Sequence, residues 1–354
     1  MHYEHVLSRL LPLRGRVYFD LKKEVRMVID WEHHYIPEEL WLKKGGKKGE
    51  RTIFFEHGNP RGTLHPELYD ADEHLRIMDA VGIDLAVLSI AVSNDDPQIA
   101  LEECRIWDDR VAELTKKYPK RFVGLAPVPP LGGEKAFAEL DRAIGTLGLK
   151  GVVIRSQANG QSMDSKELYP FYKKVVALNV PIFIHPSGVQ LGMDILNAPY
   201  DLYRSIGREL DLIIATTRII LSGVLEDFPD LRFVISHKGG GIAALKERID
   251  YQFGSSTHTH GTRPMGTRNR LPFDEYFKRI HFNLAGHHGG MNSVKCALTS
   301  IQPNRLIFGT DYPQEFTENP MEIKPYIENI KKLDLDEKSK ESMLGGNARR
   351  LLGL

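Results

Sequence analysis

The chain has 354 residues, of which 42% are hydrophobic and 27% charged, and its 47 basic side chains balance 47 acidic ones. This balance excludes the strong global field that nucleic acids or anionic membranes require, so we expect a small-molecule partner, with no nucleic acid and no membrane. Two distant cysteines, Cys104 and Cys296, exclude a disulfide framework. The first twenty residues contain no signal-like stretch, and no apolar run is long enough for a membrane span. These observations together predict a cytoplasmic protein.

Short β-branched runs recur along the chain, and most are continuously apolar, as is typical of parallel strands covered on both faces. The predicted strands are 25–30, 85–90, 122–128, 151–154, 181–186, 232–237, 281–286 and 305–311. Helical patterns separate them, for example at 70–82, 134–147 and 165–179, and each ends near a Gly or Asn. Strand and helix therefore alternate through the whole chain.

Eight such units predict an α/β fold, a (β/α)₈ TIM barrel. The alternative is an open doubly wound sheet, but no Gly-rich dinucleotide turn follows the first strand. Residues 37–69, rich in Lys, Gly and Pro, and residues 188–230 predict inserted loops after strands one and five. No linker divides the chain, so we expect a single barrel domain at 25–354 after an N-terminal extension at 1–24.

The segment VIDWEHHYIP, at the first strand, ends an apolar run in one glutamate and two histidines. Because side chains alternate between the faces of a strand, Glu32 and His34 are predicted to share one face with Asp30. Trp31 and His33 are predicted on the other face, where His33 packs outward against a helix. Glu32 and His34 are therefore the pair that we expect at a functional site.

Polar side chains fall at the carboxyl ends of several predicted strands, which converge on one mouth of a barrel. They are Glu32 and His34 after strand one, His185 after strand five, His237 after strand six and Asp311 after strand eight. Alone, each is more commonly a cap or a buried hydrogen-bonding group. Together, two carboxylates and two or three imidazoles predict a site for Zn²⁺, Mn²⁺ or Fe²⁺.

Other histidines are weaker candidates. His258 and His260 repeat the H-x-H spacing in SSTHTHGTR, a polar stretch without strand character that predicts a solvated loop. His287 and His288 follow strand seven, where an ordinary polar loop is the first interpretation and a role near the substrate is the alternative.

Several motifs occur in a fixed order: VIDWEHHYIP, MDAVGIDLAVLS, IFIHP, VISHKGGG, FGTDYP and the terminal GGNARRLLGL. In combination they resemble the second branch of the amidohydrolase superfamily, which contains metal-dependent decarboxylases of aromatic and related acids. Members similar to γ-resorcylate and 5-carboxyvanillate decarboxylases carry Glu-x-His at strand one, whereas those similar to 2-amino-3-carboxymuconate semialdehyde decarboxylase carry His-x-His. The Glu32/His34 pair therefore favours hydroxybenzoate-like substrates.

The resemblance implies one divalent ion, Zn²⁺ or Mn²⁺, no organic cofactor, and a homodimer or homotetramer. Its implied metal ligands are Glu32, His34, His185 and Asp311. It implies catalytic roles for Asp311, as the proton donor to the ring carbon, and for His237, which tunes or relays that proton before CO₂ is lost. Arg248 and Arg61 are its implied substrate-binding residues. Arg248 matches a family arginine that binds the substrate's carboxylate, sometimes from a neighbouring subunit; a surface ion pair is the alternative for this residue.

Two positions depart from the γ-resorcylate pattern. That branch tends to place a Glu three residues after the strand-six His, completing a proton relay, whereas this chain has Gly240. Gln314 stands where an aromatic residue may follow the strand-eight motif. We therefore expect a different ring-binding wall around the same metal ligands.

The expected activity is metal-dependent, non-oxidative decarboxylation of an ortho-hydroxybenzoate-like acid. One alternative is a hydrolase or hydratase of the same superfamily acting on a lactone, amide or unsaturated acid; Glu32 in place of His, and Arg155 where a lysine could bridge two metals, argue against it. A non-catalytic barrel that keeps its metal for stability is a second alternative.

Overall fold

Eight parallel strands form the wall of the barrel, each near its predicted position. The computed structural model describes residues 27–56, 59–92, 96–187, 200, 202–254, 269–286 and 288–354, with backbone alone at 54–56, 59–62 and 254. The strands are β1 (Ile29–His34), β2 (Leu85–Ser89), β3 (Phe122–Gly124 and Ala126–Pro127), β4 (Val152–Arg155), β5 (Ile182–His185), β6 (Phe233–Ile235), β7 (His281–Asn283) and β8 (Leu306–Ile307). The predicted N-terminal extension, 1–24, lies outside the described residues.

The strands follow one another around the wall in sequence order. Within β3 the chain changes partner: Leu125 N donates to Leu88 O in β2 (3.0 Å), and Ala126 N donates to Gly151 O beside β4 (2.8 Å). The segment that continues β8 closes the ring on β1, because Trp31 N donates to Phe308 O (3.0 Å) and His34 N to Tyr312 O (2.7 Å). The predicted barrel is confirmed.

A helix covers the outside of the wall after each strand. The eight helices are α1 (Ala71–Val81), α2 (Pro97–Lys117), α3 (Gly133–Asp141), α4 (Tyr169–Leu178), α5 (Arg208–Leu221), α6 (Lys246–Gly254), α7 (Met291–Leu298) and α8 (Ile323–Lys331). Shorter helices lie at Val224–Asp227 and Phe273–Phe277, and the chain ends in helical turns at Glu337–Glu341, Ser342–Gly346 and Asn347–Leu352. No described helix combines the length and the apolar character needed to cross a membrane.

The apolar core has two layers. Side chains from the strands pack against the helices in a large outer layer. A smaller inner layer fills the barrel, where the Trp31 and Phe183 rings meet edge to face at 6.4 Å. The packed interior leaves the carboxyl ends of the strands as the place for a site.

The predicted insertion after β1 has regular structure of its own. It contains a helix at Glu38–Lys43 and an antiparallel hairpin of Thr52–Glu56 with Asn59–Leu64. Of the insertion after β5, residues 188–199 and 201 lie outside the described residues, and Tyr203–Gly207 forms a helical turn that runs into α5.

The first strand differs from its prediction in three respects. It spans Ile29–His34 rather than 25–30, so Glu32 and His34 lie within the strand; their polarity conceals this, because a strand end that supplies ligands is not apolar. The predicted faces of Asp30 and Trp31 are wrong. The register shifts between Asp30 and His33, so the Asp30 carboxylate accepts from His33 Nδ1 (2.8 Å) behind the wall, whereas Trp31 lies in the inner apolar layer. His33 does contact a helix, through His74 of α1 (2.7 Å), as predicted.

A buried carboxyl pair joins α2 to α3. Asp108 of α2 is fully buried and faces Glu139 of α3, which also accepts from Arg105 (3.2 Å) and Arg142 (2.6 Å). Burial, and then the hydrogen bond and negative charge of Glu139, raise the pKa of Asp108 well above its usual value. A carboxyl whose pKa is raised by folding stabilises the fold at low pH and loses that contribution as the pH rises through the folded pKa.

Replacing Asp108 by Asn should therefore stabilise the protein at neutral pH, where the aspartate must either hold a proton or bury its charge. We expect an increase in Tm of a few degrees at pH 8, at roughly 2–4 °C per kcal/mol, that shrinks towards zero as the pH falls below about 4. Thermal unfolding measured from pH 4 to 8 checks this. Asp334→Asn, which changes an exposed aspartate in the turn after α8, is the control. An Asp108→Asn gain that does not depend on pH would contradict the interpretation.

Candidate metal centre

Four side chains converge at the carboxyl end of the barrel: Glu32 and His34 from β1, His185 from β5, and Asp311 after β8. One donor atom from each lies within 4.8 Å of the others. His34 Nε2 is 2.8 Å from Asp311 Oδ1 and 3.9 Å from Glu32 Oε1, and His185 Nε2 is 3.6 Å from Glu32 Oε1. Within the described part of the chain, no other group of His, Cys, Asp and Glu has this spacing.

These separations fit a single divalent ion. Bonds of about 2.0–2.2 Å place neighbouring ligand atoms roughly 3 Å apart at right angles, and opposite ones about 4.2 Å apart. His34 Nδ1 lies 3.2 Å from Ser89 O, and His185 Nδ1 lies 3.1 Å from Pro186 O. Donation from each Nδ1 to its carbonyl leaves the Nε2 lone pair directed at the cluster, which is the tautomer that metal-binding histidines adopt.

Glu32 is oriented by two neighbouring strands. Its carboxylate is fully buried and accepts hydrogen bonds from Ser236 Oγ, after β6 (2.7 Å to Oε2), and from Asn283 Nδ2, at the end of β7 (2.5 Å). The net effect of the site is to raise the pKa of Glu32, because burial outweighs the attraction of the histidines. A cation in the cluster would compensate this buried charge.

Burial and neighbouring charges shift the pKa values of the candidate ligands. Asp311 is buried, which raises its pKa, but hydrogen bonds from His237 and His34 outweigh burial and hold the pKa far below its usual value. Burial lowers the pKa of His34, and the hydrogen bond and charge of Asp311 raise it above its usual value. Burial and the nearby His34 charge keep the pKa of His185 well below normal, leaving it a neutral ligand, with a smaller contribution from Arg208.

His237 stands on the other side of Asp311, in an uncommon backbone conformation. Its Nε2 lies 3.4 Å from Asp311 Oδ2 and 3.8 Å from Glu32 Oε1. Every residue from His237 (φ 48°) to Gly241 (φ 84°) has a positive φ, which makes one left-handed turn. The glycines adopt it freely, whereas a non-glycine residue there costs roughly 1–2 kcal/mol, a strain that is typical of functional sites.

Contacts with β7 hold this turn in place. His237 N donates to Asn283 Oδ1 (3.0 Å). Lys238 is buried and its Nζ donates to the carbonyl oxygens of Leu284, Ala285 and Gly286 at 2.6–3.1 Å. Burial lowers the pKa of Lys238 to about 8. The strained turn is thus fixed by a motif, HKGGG, whose glycines and lysine each have a structural reason.

A residue that the sequence did not indicate completes the site. Glu209, in the first turn of α5, accepts from His237 Nδ1 at 2.8 Å. Burial lowers the pKa of His237, but Glu209 and Asp311 outweigh it and raise the pKa well above its usual value. No spacing rule links a helix residue after β5 to a histidine after β6, so only the fold reveals this contact. Ser236 and Asn283 were missed for the same reason.

Of the remaining predicted residues, the structure describes the side chains of Arg248 and His288. Arg248 is exposed on α6, and no hydrogen bond or ion pair among the described side chains connects it with the cluster. Arg61 lies in the hairpin strand Asn59–Leu64, and its side chain is outside the described residues. His258, His260 and His287 are outside them as well. His288 is exposed beside Phe316, with ring centroids 5.7 Å apart.

The amidohydrolase family model matches residues 29–354, nearly the whole barrel. The chain belongs to the amidohydrolase family. It is 29% identical over 291 residues to a 2-amino-3-carboxymuconate-6-semialdehyde decarboxylase of Dictyostelium discoideum, covering 81% of this chain and 77% of that protein. It is 26% identical over 341 residues to a γ-resorcylate decarboxylase of Polaromonas sp. strain JS666, covering 91% and 97%.

Solved structures and a further relative extend the comparison of this amidohydrolase. The 5-carboxyvanillate decarboxylase of Sphingomonas paucimobilis superposes with a TM-score of 0.77 at 25% identity, covering 93% of this chain and 99% of that one. A dihydroxybenzoic acid decarboxylase of Polaromonas sp. JS666, bound to manganese and 2-nitroresorcinol, has the same fold (TM-score 0.75, 24% identity, 93% and 97% covered). A 2-keto-4-carboxy-3-hexenedioate hydratase of Sphingobium sp. is 23% identical, covering 92% and 96%. The predicted resemblance to the decarboxylase branch is confirmed.

Removing the Ser236 hydroxyl should weaken metal binding without removing a ligand. Ser236→Ala deletes one of the hydrogen bonds that orient Glu32, and such losses typically lower metal affinity about 10–100-fold. Competition with a calibrated chelator measures this for Mn²⁺ and Zn²⁺. Ser293→Ala, on α7, is the matched control. Unchanged affinity in Ser236→Ala would contradict the assignment of Glu32 as a ligand.

Proposed function

We propose that this amidohydrolase is a metal-dependent carboxy-lyase that removes CO₂, without oxidation, from an aromatic acid with a hydroxyl group ortho to the carboxylate. The observation that carries the proposal is the cluster of Glu32, His34, His185 and Asp311 with His237 facing Asp311. Decarboxylases are prominent among the matched relatives, which supports the reaction class.

One divalent ion, Mn²⁺ or Zn²⁺, would be held by these four residues. The donor set of two nitrogens and two carboxylates suits both ions, and a solved structure of the same fold contains manganese. When bound, the ion would supply positive charge that holds the hydroxyl and carboxylate oxygens of the substrate. The anionic Glu32 reduces that charge, which makes the site less suited to generating hydroxide.

The residues around the ion manage a proton. Loss of CO₂ would leave the bond's electron pair on a ring carbon, so that carbon must be protonated before the bond breaks. Asp311 would take up the proton that the substrate's hydroxyl releases on binding and deliver it to the ring carbon, with His237 Nε2 at 3.4 Å stabilising the carboxylate that remains. The carbon–carbon bond then breaks, CO₂ leaves, and its electron pair restores the aromatic ring. No electron acceptor is required.

Positive charge around the mouth favours an anionic substrate. Arg155, at the end of β4, pairs in register with His185, and its Nη2 donates to Ser187 O (3.2 Å). Arg208 is close enough to contribute to the lowered pKa of His185. Arg61 stays in the proposal as a substrate-binding residue of the inserted hairpin. A planar guanidinium suits carboxylate and phenolate oxygens.

We infer that the protein is a homodimer or homotetramer. An exposed apolar stripe runs from Ile206, in the turn before α5, through Leu210 and Ile214 of α5, each more than two-fifths exposed and four residues apart. Exposed Tyr251 lies on α6, which also carries Arg248. Association through α5 and α6 would cover these groups and allow Arg248 to act in a neighbouring subunit's site. Free cysteines, Cys104 and Cys296, support a cytoplasmic location.

A hydratase of the same family is the second candidate, because a relative with that activity covers 92% of the chain. It would add water to an unsaturated acid and release no CO₂. The arrangement of Asp311 and His237 supports proton transfer in either reaction. The substrate therefore decides between them.

A substrate panel tests the proposal. The protein is loaded with Mn²⁺ or Zn²⁺ and offered ortho-hydroxybenzoates, the corresponding meta isomers, lactones and unsaturated diacids. We expect CO₂ and the matching phenol from ortho-hydroxylated acids alone. Water addition or ester cleavage without CO₂ would overturn the carboxy-lyase assignment.

Asp311→Asn should lower kcat at least about 10³-fold, which in practice abolishes turnover, because the amide cannot carry the proton. Initial rates with saturating metal measure this, and the metal content of the variant is determined in the same preparation. Near-normal kcat in a metal-loaded Asp311→Asn protein would remove Asp311 from its proposed role.

Arg248→Ala should raise KM by about 10–100-fold with a smaller change in kcat, since the guanidinium binds the substrate in both the ground and transition states. Arg105→Ala, an exposed arginine on α2, serves as the control. If Arg248 acts between subunits, mixing inactive Asp311→Asn chains with Arg248→Ala chains should restore sites with normal KM. No restoration would place Arg248 in its own subunit's site or outside the site.

A further inference from the structure

The proton relay of the γ-resorcylate branch is incomplete in the sequence of this chain. The position three residues after His237, where that branch tends to have a glutamate, is Gly240. The backbone shows why a side chain is absent there: Gly240 has a φ of +69°, and a Cβ on it would lie 2.0 Å from Glu209 O. The place of the missing side chain is occupied by the first turn of α5.

The same turn of α5 supplies a carboxylate, Glu209, that binds His237. Glu209 Oε1 accepts from His237 Nδ1 at 2.8 Å, and the His237 side chain is 7% exposed. On the opposite edge of the ring, Nε2 faces Asp311 Oδ2 at 3.4 Å. The order Glu209, His237, Asp311 is therefore continuous, although its members come from α5, the left-handed turn after β6 and the segment after β8.

Sterics alone do not set the angle of the His237 ring. Gly286 borders one face of the ring, since a Cβ on Gly286 would meet His237 Cγ at 2.8 Å. That contact limits tilt but does not distinguish the two ring nitrogens. A hydrogen bond to Nδ1 does, because it keeps the proton on that nitrogen and directs Nε2 at Asp311.

We propose that Glu209 is the positioning residue of the catalytic histidine, replacing from helix α5 the glutamate that the branch supplies from the turn after β6. It would hold the Nδ1–H and the orientation of His237, so that Nε2 faces Asp311 and the reacting ring carbon. This inference rests on the proposed function for its kinetic consequence, whereas the hydrogen bond from His237 Nδ1 to Glu209 is independent of the substrate.

Two variants test the inference in the metal-loaded, full-length protein. Glu209→Ala removes the acceptor, and Glu209→Gln keeps an acceptor oxygen but removes the charge. Arg218→Ala, which removes an exposed charged side chain from the same helix, is the matched control. The measurements are kcat and KM on the substrate found by the panel, and ¹⁵N chemical shifts of histidine in the zinc form, with His237 assigned by His237→Gln.

We expect kcat to fall at least about 100-fold in Glu209→Ala and about 10-fold in Glu209→Gln, with KM changed less than about threefold. The wild-type spectrum should show His237 protonated at Nδ1, and Glu209→Ala should shift this Nδ1 signal because its hydrogen-bond acceptor is gone, while Arg218→Ala leaves both readouts unchanged. A Glu209→Ala protein with kcat within threefold of wild type, or with an unchanged Nδ1 signal, would overturn the inference.

The two proposals fail in different ways. If no panel acid is decarboxylated, the proposed function is lost, and the ¹⁵N spectra still decide whether Glu209 fixes His237. If Glu209→Ala does not fold, Glu209→Gln decides: an unchanged kcat would overturn the positioning role, and a roughly tenfold loss at constant KM would support it.

Discussion

The closure of β8 on β1 is the constraint on which the candidate centre depends. Asp311 N donates to Glu32 O at 2.9 Å and His34 N donates to Tyr312 O at 2.7 Å, so the first and last strands alternate across a seam of main-chain hydrogen bonds. Residues almost 280 positions apart become immediate neighbours. A seam shifted by one residue would turn Asp311 or Glu32 to the other face of the wall and dissolve the cluster.

Around that seam, charged side chains are buried away from water, and neighbouring polar and charged groups stabilise them. Glu32 has no exposure, and its carboxylate is met by Ser236 and Asn283 rather than by water. Asp311 and His34 form a close pair, and His237 adds a third charged neighbour. An isolated ion in such a place would be expensive, whereas a divalent cation shared by four ligands makes burial favourable. The exclusion of water also strengthens each electrostatic contact with a substrate, because the local dielectric constant is low.

Much of this architecture can be predicted from the sequence, because it depends on periodic or local signals. The eight apolar runs correspond to strands, and Glu32, His34, His185 and Asp311 could be brought together by assuming that strand ends meet in a closed barrel. The register shift in β1, which turns Asp30 away from Glu32, has no local signal, since it follows from pairing with β2 and with the β8 segment. Glu209 could not be predicted either, because its contact with His237 depends on how α5 packs beside the left-handed turn.

The proposed chemistry depends on one divalent ion held by Glu32, His34, His185 and Asp311. Anomalous diffraction from a manganese-loaded crystal tests it most directly. We expect one peak per chain, about 2.0–2.3 Å from Nε2 of both histidines and from an oxygen of each carboxylate. A peak bound elsewhere on the chain, or an ordered cluster whose side chains still contact one another with no peak between them at saturating Mn²⁺, would contradict it.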